Sequence, residues 1–576
     1  MTLNALFPGN VRTCCEGFAS RRDQCLSAVA AHANPSQSIF GMPAIARLAL
    51  GRDVAAANAE LCNVAHWFDQ PHPTGRDHRG ECDFAAIKLC LAYYHPEISA
   101  LLDDATRTAI KQFFLTQPFD SMYGSENHAL LFRVSRYLMA LALPQETFTA
   151  YGHTGQALSE EDGQWLKDFI RFRAQRGWGE FDSACYLVPD WESLTCLYAY
   201  TPDTELRSLC GMMLDLLLAD MIVDSLNGMY CGAHGRIYPP QALDHEREST
   251  YPLQYLYFGL GDPACAKDCL IDAVLSSYRP HPLLVDIALN RHEPYENRER
   301  KHLHLMSDTR PEHPLEGSIR KYTYYTPDYV LGCVQFQDVY PEFANGDHIY
   351  AHHQQHQWDF TVANRTDARL FTHHPGDFNE HNYWTGDLQC GCGHFMQSTT
   401  ALLALYDILP TQPYQFIHAY VPMEAFDEVI EEDGTIFVRA GHVYAALTLL
   451  GGCEWVREGE WAYREVISRA SKNGAVCEVG TSDDFGTFAA FRAECRLNAI
   501  TFAREAMRLT YQSRRAGTLS LDTNGLREIN GQPLDLEYAT YDCPYLHSPW
   551  KSGVATLQHD AQRLVLDFNA SSASPR

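Results

Sequence analysis

Residues 292–318 read HEPYENRERKHLHLMSDTRPEHPLEGS and divide the sequence into two textures. The stretch mixes acidic and basic side chains and carries prolines, so it predicts a linker or wrapping segment over 291–320. On its N-terminal side, 206–226 reads LRSLCGMMLDLLLADMIVDSL, with apolar residues recurring at helical spacing. The same period runs through 43–68, 83–94, 128–143 and 163–177. Gly and Pro punctuate these segments, as in FDQPHPTGRD and LTQPFDSMYGS. About ten such helices precede residue 290, and no fixed sequence period marks a solenoid repeat.

On the C-terminal side the runs turn to β-type. KYTYYTPDYVLGCVQF, QWDFTVAN, ARLFTHH, YQFIHAYVP, TIFVRAG, HVYAALTLL, MRLTYQS, GTLSLDT and RLVLDF are rich in Val, Thr, Tyr and Phe. STTALLALYDI (398–408) and FGTFAAFRAECR (485–496) read as helical exceptions. The expected architecture is α+β and multidomain: a helical domain at 1–290, a linker at 291–320 and an antiparallel β domain at 321–576.

Composition narrows the function. The 576 residues are 46% hydrophobic, 20% charged and 12% aromatic, which excludes a disordered chain, a collagen-like fibre and a coiled coil. A formal charge of −27 repels nucleic acid and anionic membranes. The 19 cysteines are odd in number and irregularly spaced, as reduced thiols in a cytoplasmic protein would be. The start, MTLNALFPGNVR, lacks the pattern of a signal peptide, and no apolar run is long enough to span a bilayer.

Five segments concentrate polar groups. In SENHALLFRVSRYLMAL, Ser125 is placed to cap a helix whose first turn holds Glu126, Asn127 and His128. In RGWGEFDSACYLVPDWESLTCLY, Trp178, Glu180 and Asp182 sit on a Gly-flanked turn just before Tyr186. In LNGMYCGAHGRIYPP, an open glycine loop presents His234, Arg236 and Tyr238, and Arg236 suits a carboxylate. In DHIYAHHQQHQWDFTVANRTDARLFTHHPG, His352, His353 and His356 lead into a strand. HxxH spacing would place His353 and His356 on opposite faces of that strand, so a metal site made by these two requires a turn. In YWTGDLQCGCGH, Cys390, Cys392 and His394 form a weak metal signal without a second pair. Each segment also has a plain structural reading, as a cap, a buried histidine or a surface loop. P-loop, GxGxxG, GxSxG and HExxH motifs are absent, so kinase, dehydrogenase and serine-hydrolase chemistry has no motif behind it.

Together these segments resemble the heparinase II/III-like and alginate-lyase-type polysaccharide lyases. The resemblance implies an N-terminal incomplete (α/α) toroid followed by a C-terminal antiparallel β-sandwich. It implies that Asn127 and His128 match an Asn-His pair on an inner helix, Tyr186 the catalytic tyrosine, and His353 or His356 a further catalytic histidine. HHQQHQWDFTVANRTDARLF resembles the family's histidine-rich strand, and GTIFVRAGHVYAALTLL a later hairpin. The family's H-x-H-x-D arrangement is not present as such, so the third catalytic position falls on either histidine.

The chemistry implied is β-elimination on a 4-linked uronic acid. The substrate carboxylate must be neutralised while C5 loses its proton, a task for Asn127, His128 and Arg236. Tyr186 serves as acid and base for one stereochemistry, with a neighbouring cation needed to lower its pKa; a histidine is the base for the other. Trp178 and Tyr238 are expected sugar platforms, and Glu126, Glu180, Asp182 and His234 further substrate contacts. No cofactor is implied, a structural metal at the β-domain histidines is not favoured, and the expected partner is an oligosaccharide or polysaccharide, with a homodimer left open. The alternatives are a glycoside hydrolase using Glu126, Glu180 and Asp182, or a non-catalytic sugar-binding protein. The acidic balance leans toward a neutral sugar and keeps the hydrolase in play.

Overall fold

A computed structural model of the chain describes residues 7–32, 40–70, 82–118, 125–302, 319–337, 355–375, 383–386 and 393–570. Helices fill the first half and antiparallel strands the second, as the change of texture requires. The helix Glu126–Ala142 is central: it packs against Asp83–Tyr94, Gly155–Arg176 and Leu187–Tyr200. Its start is fixed by the Ser125 hydroxyl, which accepts from the His128 N–H at 3.5 Å. Thr154 and Asp203 cap the helices Gly155–Arg176 and Thr204–Val223 in the same way. Among the described residues no helix is long and apolar enough to cross a membrane.

Among the described residues two large antiparallel sheets follow, one of twelve strands and one of six. They share one apolar core, to which Leu331, Phe360 and Phe371 come from the first and Leu402, Val438 and Leu447 from the second. A five-stranded sheet covers the other face of the six-stranded one through Leu509, Leu519 and Leu521.

Two expectations are corrected here. The run 398–408 is not helical: Ala401–Asp407 is a strand. Leu402, Ala404 and Tyr406 face one core and Ala401, Leu403 and Leu405 the other. A strand buried on both faces loses the polar alternation that marks strands in sequence. The stretch expected as a linker also holds a strand, Tyr295–Lys301, paired with Ile319–Tyr325 on one side and Tyr541–Asp542 on the other. Its inward side chains include Asn297, Glu299 and Lys301, which are buried because they pair with one another and with the helical half.

Beyond it the chain doubles back. Strands Leu546–Ser548, Val554–His559 and Gln562–Asp567 extend the twelve-stranded sheet, and Leu546, Leu557, Leu566 and Phe568 join the core of the helical half. The two halves are thus tied by a shared core and, among the described residues, by a single antiparallel bridge between His234 and His356.

Candidate active site

The site grows from two loops bound to each other. The turn at 179–186 hangs from the start of the Glu126 helix: the fully buried Glu126 carboxylate accepts from the N–H groups of Gly179 (3.1 Å) and Glu180 (2.6 Å) and pairs with Arg173 at 3.0 Å. The glycine loop then docks on this turn. The Gly235 N–H donates to the Phe181 carbonyl at 2.6 Å, and the Ser183 hydroxyl donates to the Arg236 carbonyl at 2.6 Å. A Cβ on Gly235 would stand 2.6 Å from the Phe181 nitrogen, so the approach requires glycine.

This docking brings four expected residues together. Arg236 donates from Nη1 to Glu180 Oε1 at 2.7 Å, and from Nη2 to the hydroxyls of Tyr186 (3.2 Å) and Tyr238 (3.3 Å). The two phenols are 2.7 Å apart. The other Glu180 oxygen accepts from the Asn127 amide. The guanidinium carbon also lies over the Tyr186 ring, 3.8 Å from its centre, a cation–π contact. Burial works against the Arg236 charge, but Glu180 and the two phenols hold it firmly protonated.

The expected lowering of the Tyr186 pKa is not found. Burial pushes the phenol well above its ordinary value, and the opposing Arg236 charge does not offset it. Tyr186 therefore keeps its proton at neutral pH. His128, on the turn that holds Asn127, is bound through Nδ1 to the buried Asp83 carboxylate and meets Phe84 edge-on. Asp83 opens the apolar helix Asp83–Tyr94, where nothing in its surroundings marks it as a histidine partner.

Other expected residues sit elsewhere. Trp178 is no platform: it is buried edge-on to Phe169 at 5.8 Å beneath Arg173. Glu126 holds the loop and faces no cleft. Asp182, in the left-handed region at φ 49°, binds Lys301 and Lys321. His234 is fully buried, with its ring nitrogens 2.5 Å and 3.1 Å from the carbonyls of Asp182 and Tyr230. His356 is fully buried behind it, rings 5.9 Å apart, with Nε2 3.4 Å from Asp359 and 3.3 Å from Arg369. Burial lowers both, His234 to about 3 and His356 to about 4, so both are neutral. His352, His353, Cys390 and Cys392 lie outside the described residues.

Under the site lies an ionic layer that sequence reading missed. Lys301 pairs with Asp182, Asp220 (2.9 Å) and Glu299 (2.9 Å); Lys321 pairs with Asp182 and Asp224. Burial would raise the Asp182 carboxyl, but the two ammoniums override it and hold it far below the carboxylate range. Burial raises Asp220 to about 7 and pushes Glu299 well above its usual value. Oxygens of Asp182, Asp220 and Glu299 are close enough to share one cation, and Lys301 contacts all three.

Tyr238 also lines a cavity of about 920 Å³, whose walls include Tyr383, Trp384, Tyr414 and Trp461. The cavity thus reaches one hydrogen bond from Tyr186.

No protein-family model matches the sequence, and no curated protein matches it. Among solved structures, the Streptomyces coelicolor A3 chondroitin AC lyase in complex with chondroitin sulphate is similar at a TM-score of 0.43 and 9% identity, over 97% of this chain and 89% of that one. A likeness of that degree carries no chemistry from one chain to the other.

Proposed function

We propose that this protein is a carbohydrate lyase that cleaves glycans at a uronic acid by β-elimination. The observation that carries the reading is the Tyr186–Arg236–Tyr238 cluster at the end of an aromatic cavity, with Asn127 and Glu180 behind it. In this reading Arg236 and Asn127 neutralise the uronate carboxylate as charge moves onto it from C5. His128, oriented by Asp83, takes the C5 proton. Tyr186 donates its proton to O4 as the C4–O4 bond breaks and a C4–C5 double bond forms. The phenolate left behind is held by Arg236 and Tyr238 and regains a proton from water, and His128 passes the C5 proton to the hydroxide so formed, which returns both side chains to their starting states. The incomplete toroid and the β-sandwich implied by the resemblance, and a cytoplasmic location, belong to the same proposal.

The hydrolase alternative is less well supported. It needs two carboxyl groups flanking the bond about 6.5–9.5 Å apart. Glu126 is spent on Arg173 and backbone and Asp182 on two lysines, so of the three carboxylates Glu180 alone lies in the cluster with Arg236 and Asn127.

The test is to incubate the protein with uronate-containing polysaccharides and follow near-ultraviolet absorbance. A rise shows the unsaturated product; new reducing ends without absorbance would replace the reading with hydrolysis.

A further inference from the structure

The cavity beside Tyr238 has a composition that selects its ligand. Tyr238, Tyr383, Trp384, Tyr414 and Trp461 supply aromatic surface. Among its described lining residues Glu460 is the one charged side chain, and it is acidic. The wall is rigid. Trp384 stacks on His418 with ring centres 4.2 Å apart and meets Trp461 edge-on at 5.2 Å. Behind it, Glu465 is 2.9 Å from His418 Nδ1 and accepts from the Tyr383 hydroxyl at 2.6 Å. Tyr383 in turn meets Tyr414 edge-on at 5.7 Å. Such a wall is organised before any ligand arrives, which lowers the entropic cost of binding.

Aromatic faces suit the C–H faces of pyranose rings. An anion entering here meets Glu460, a protein charge of −27 and, among the described lining residues, no cation until it reaches Arg236. Nearby basic groups are already paired, Arg464 with Glu424 and Arg469 with Glu454. A volume of about 920 Å³ is at the upper end of ligand sites, enough for a short oligosaccharide. We infer that this cavity is a binding subsite for uncharged sugar rings, so that the substrate is a glycan in which neutral residues flank the uronate, and sulfated polyanions are excluded. The substrate clause rests on the elimination reading; the binding site does not.

The experiment titrates the full-length protein with neutral cello-, manno- and xylohexaose and with a chondroitin sulphate hexasaccharide, following tryptophan fluorescence. We expect at least one neutral hexasaccharide to bind at least tenfold more tightly than the sulfated one. Trp461→Ala should weaken that binding tenfold or more, Trp461→Phe should retain most of it, and Glu460→Lys should narrow the gap between neutral and sulfated ligands. Circular dichroism establishes that each variant is folded. Equal or tighter binding of the sulfated ligand, no binding of any neutral one, or indifference to Trp461→Ala overturns the inference. Neutral binding without unsaturated product from any uronate glycan sinks the elimination reading and leaves the subsite standing. Unsaturated product from fully sulfated or all-uronate polymers alone does the reverse.

Discussion

The guanidinium carbon of Arg236 lies 3.8 Å from the centre of the Tyr186 ring, and its Nη2 reaches that ring's hydroxyl at 3.2 Å. One cation thus covers the face of the phenol and supports its oxygen. A planar group with several donors is required to do both, and a lysine ammonium cannot. Arg236→Lys should therefore lower kcat/KM on a uronate glycan by about 100-fold while leaving the fold intact, the scale of losing one preorganised donor. Steady-state kinetics with a circular dichroism control checks this.

Asp83 is the orienting partner of His128. Asp83→Asn keeps the shape but offers Nδ1 an amide in place of a carboxylate, so the imidazole loses its fixed tautomer. Elimination should fall by roughly two to four powers of ten, in kcat more than in KM. An unchanged kcat would remove His128 from the chemistry.

The ionic layer beneath the site makes a prediction about stability. Lys321→Met leaves Asp182 buried with one of its two ammoniums and removes the ammonium paired with the buried Asp224. The expected loss is about 3–5 kcal/mol, read as a lower denaturant midpoint. The double variant Lys321→Met/Asp224→Asn should recover part of it, because it also removes a stranded carboxylate.

Acid sensitivity follows from the sealed histidines. Burial lowers His356 from its ordinary 6.5 to about 4 and His234 to about 3. Between pH 6.5 and 4 the unfolded chain binds a proton at His356 that the folded chain refuses. Stability is therefore complete above pH 6.5 and falls as pH drops through this window, by about 3 kcal/mol for His356 alone. Urea unfolding at pH 7 and pH 5 measures it, and His356→Gln should shrink the difference by about 2 kcal/mol while the share of His234 persists.

Much of the site was legible because its polar groups cluster in short segments against apolar background. Ser125, Asn127 and His128 stand at a helix start, Tyr186 follows a Gly-flanked turn, and Arg236 and Tyr238 end a glycine loop. What stayed hidden depends on long-range pairing. Asp83 lies 45 positions before His128 and reads as the first residue of a core helix. Lys301 sits in a charged run that reads as linker until its alternate side chains are seen to meet Asp182 and Asp220. The aromatic wall draws Tyr238, Tyr383, Tyr414 and Trp461 from separate stretches, with no local motif. Trp178 and His356 misled because an aromatic or imidazole side chain beside polar residues reads the same in sequence whether it faces a cleft or a core.

The most direct test compares wild type and Tyr186→Phe on a uronate-containing glycan, by near-ultraviolet absorbance of the products. Loss of one hydroxyl should abolish the absorbing product in a protein that remains folded and still binds saccharide. Undiminished absorbance from Tyr186→Phe would contradict the account, because the proton for the leaving oxygen would then come from another group.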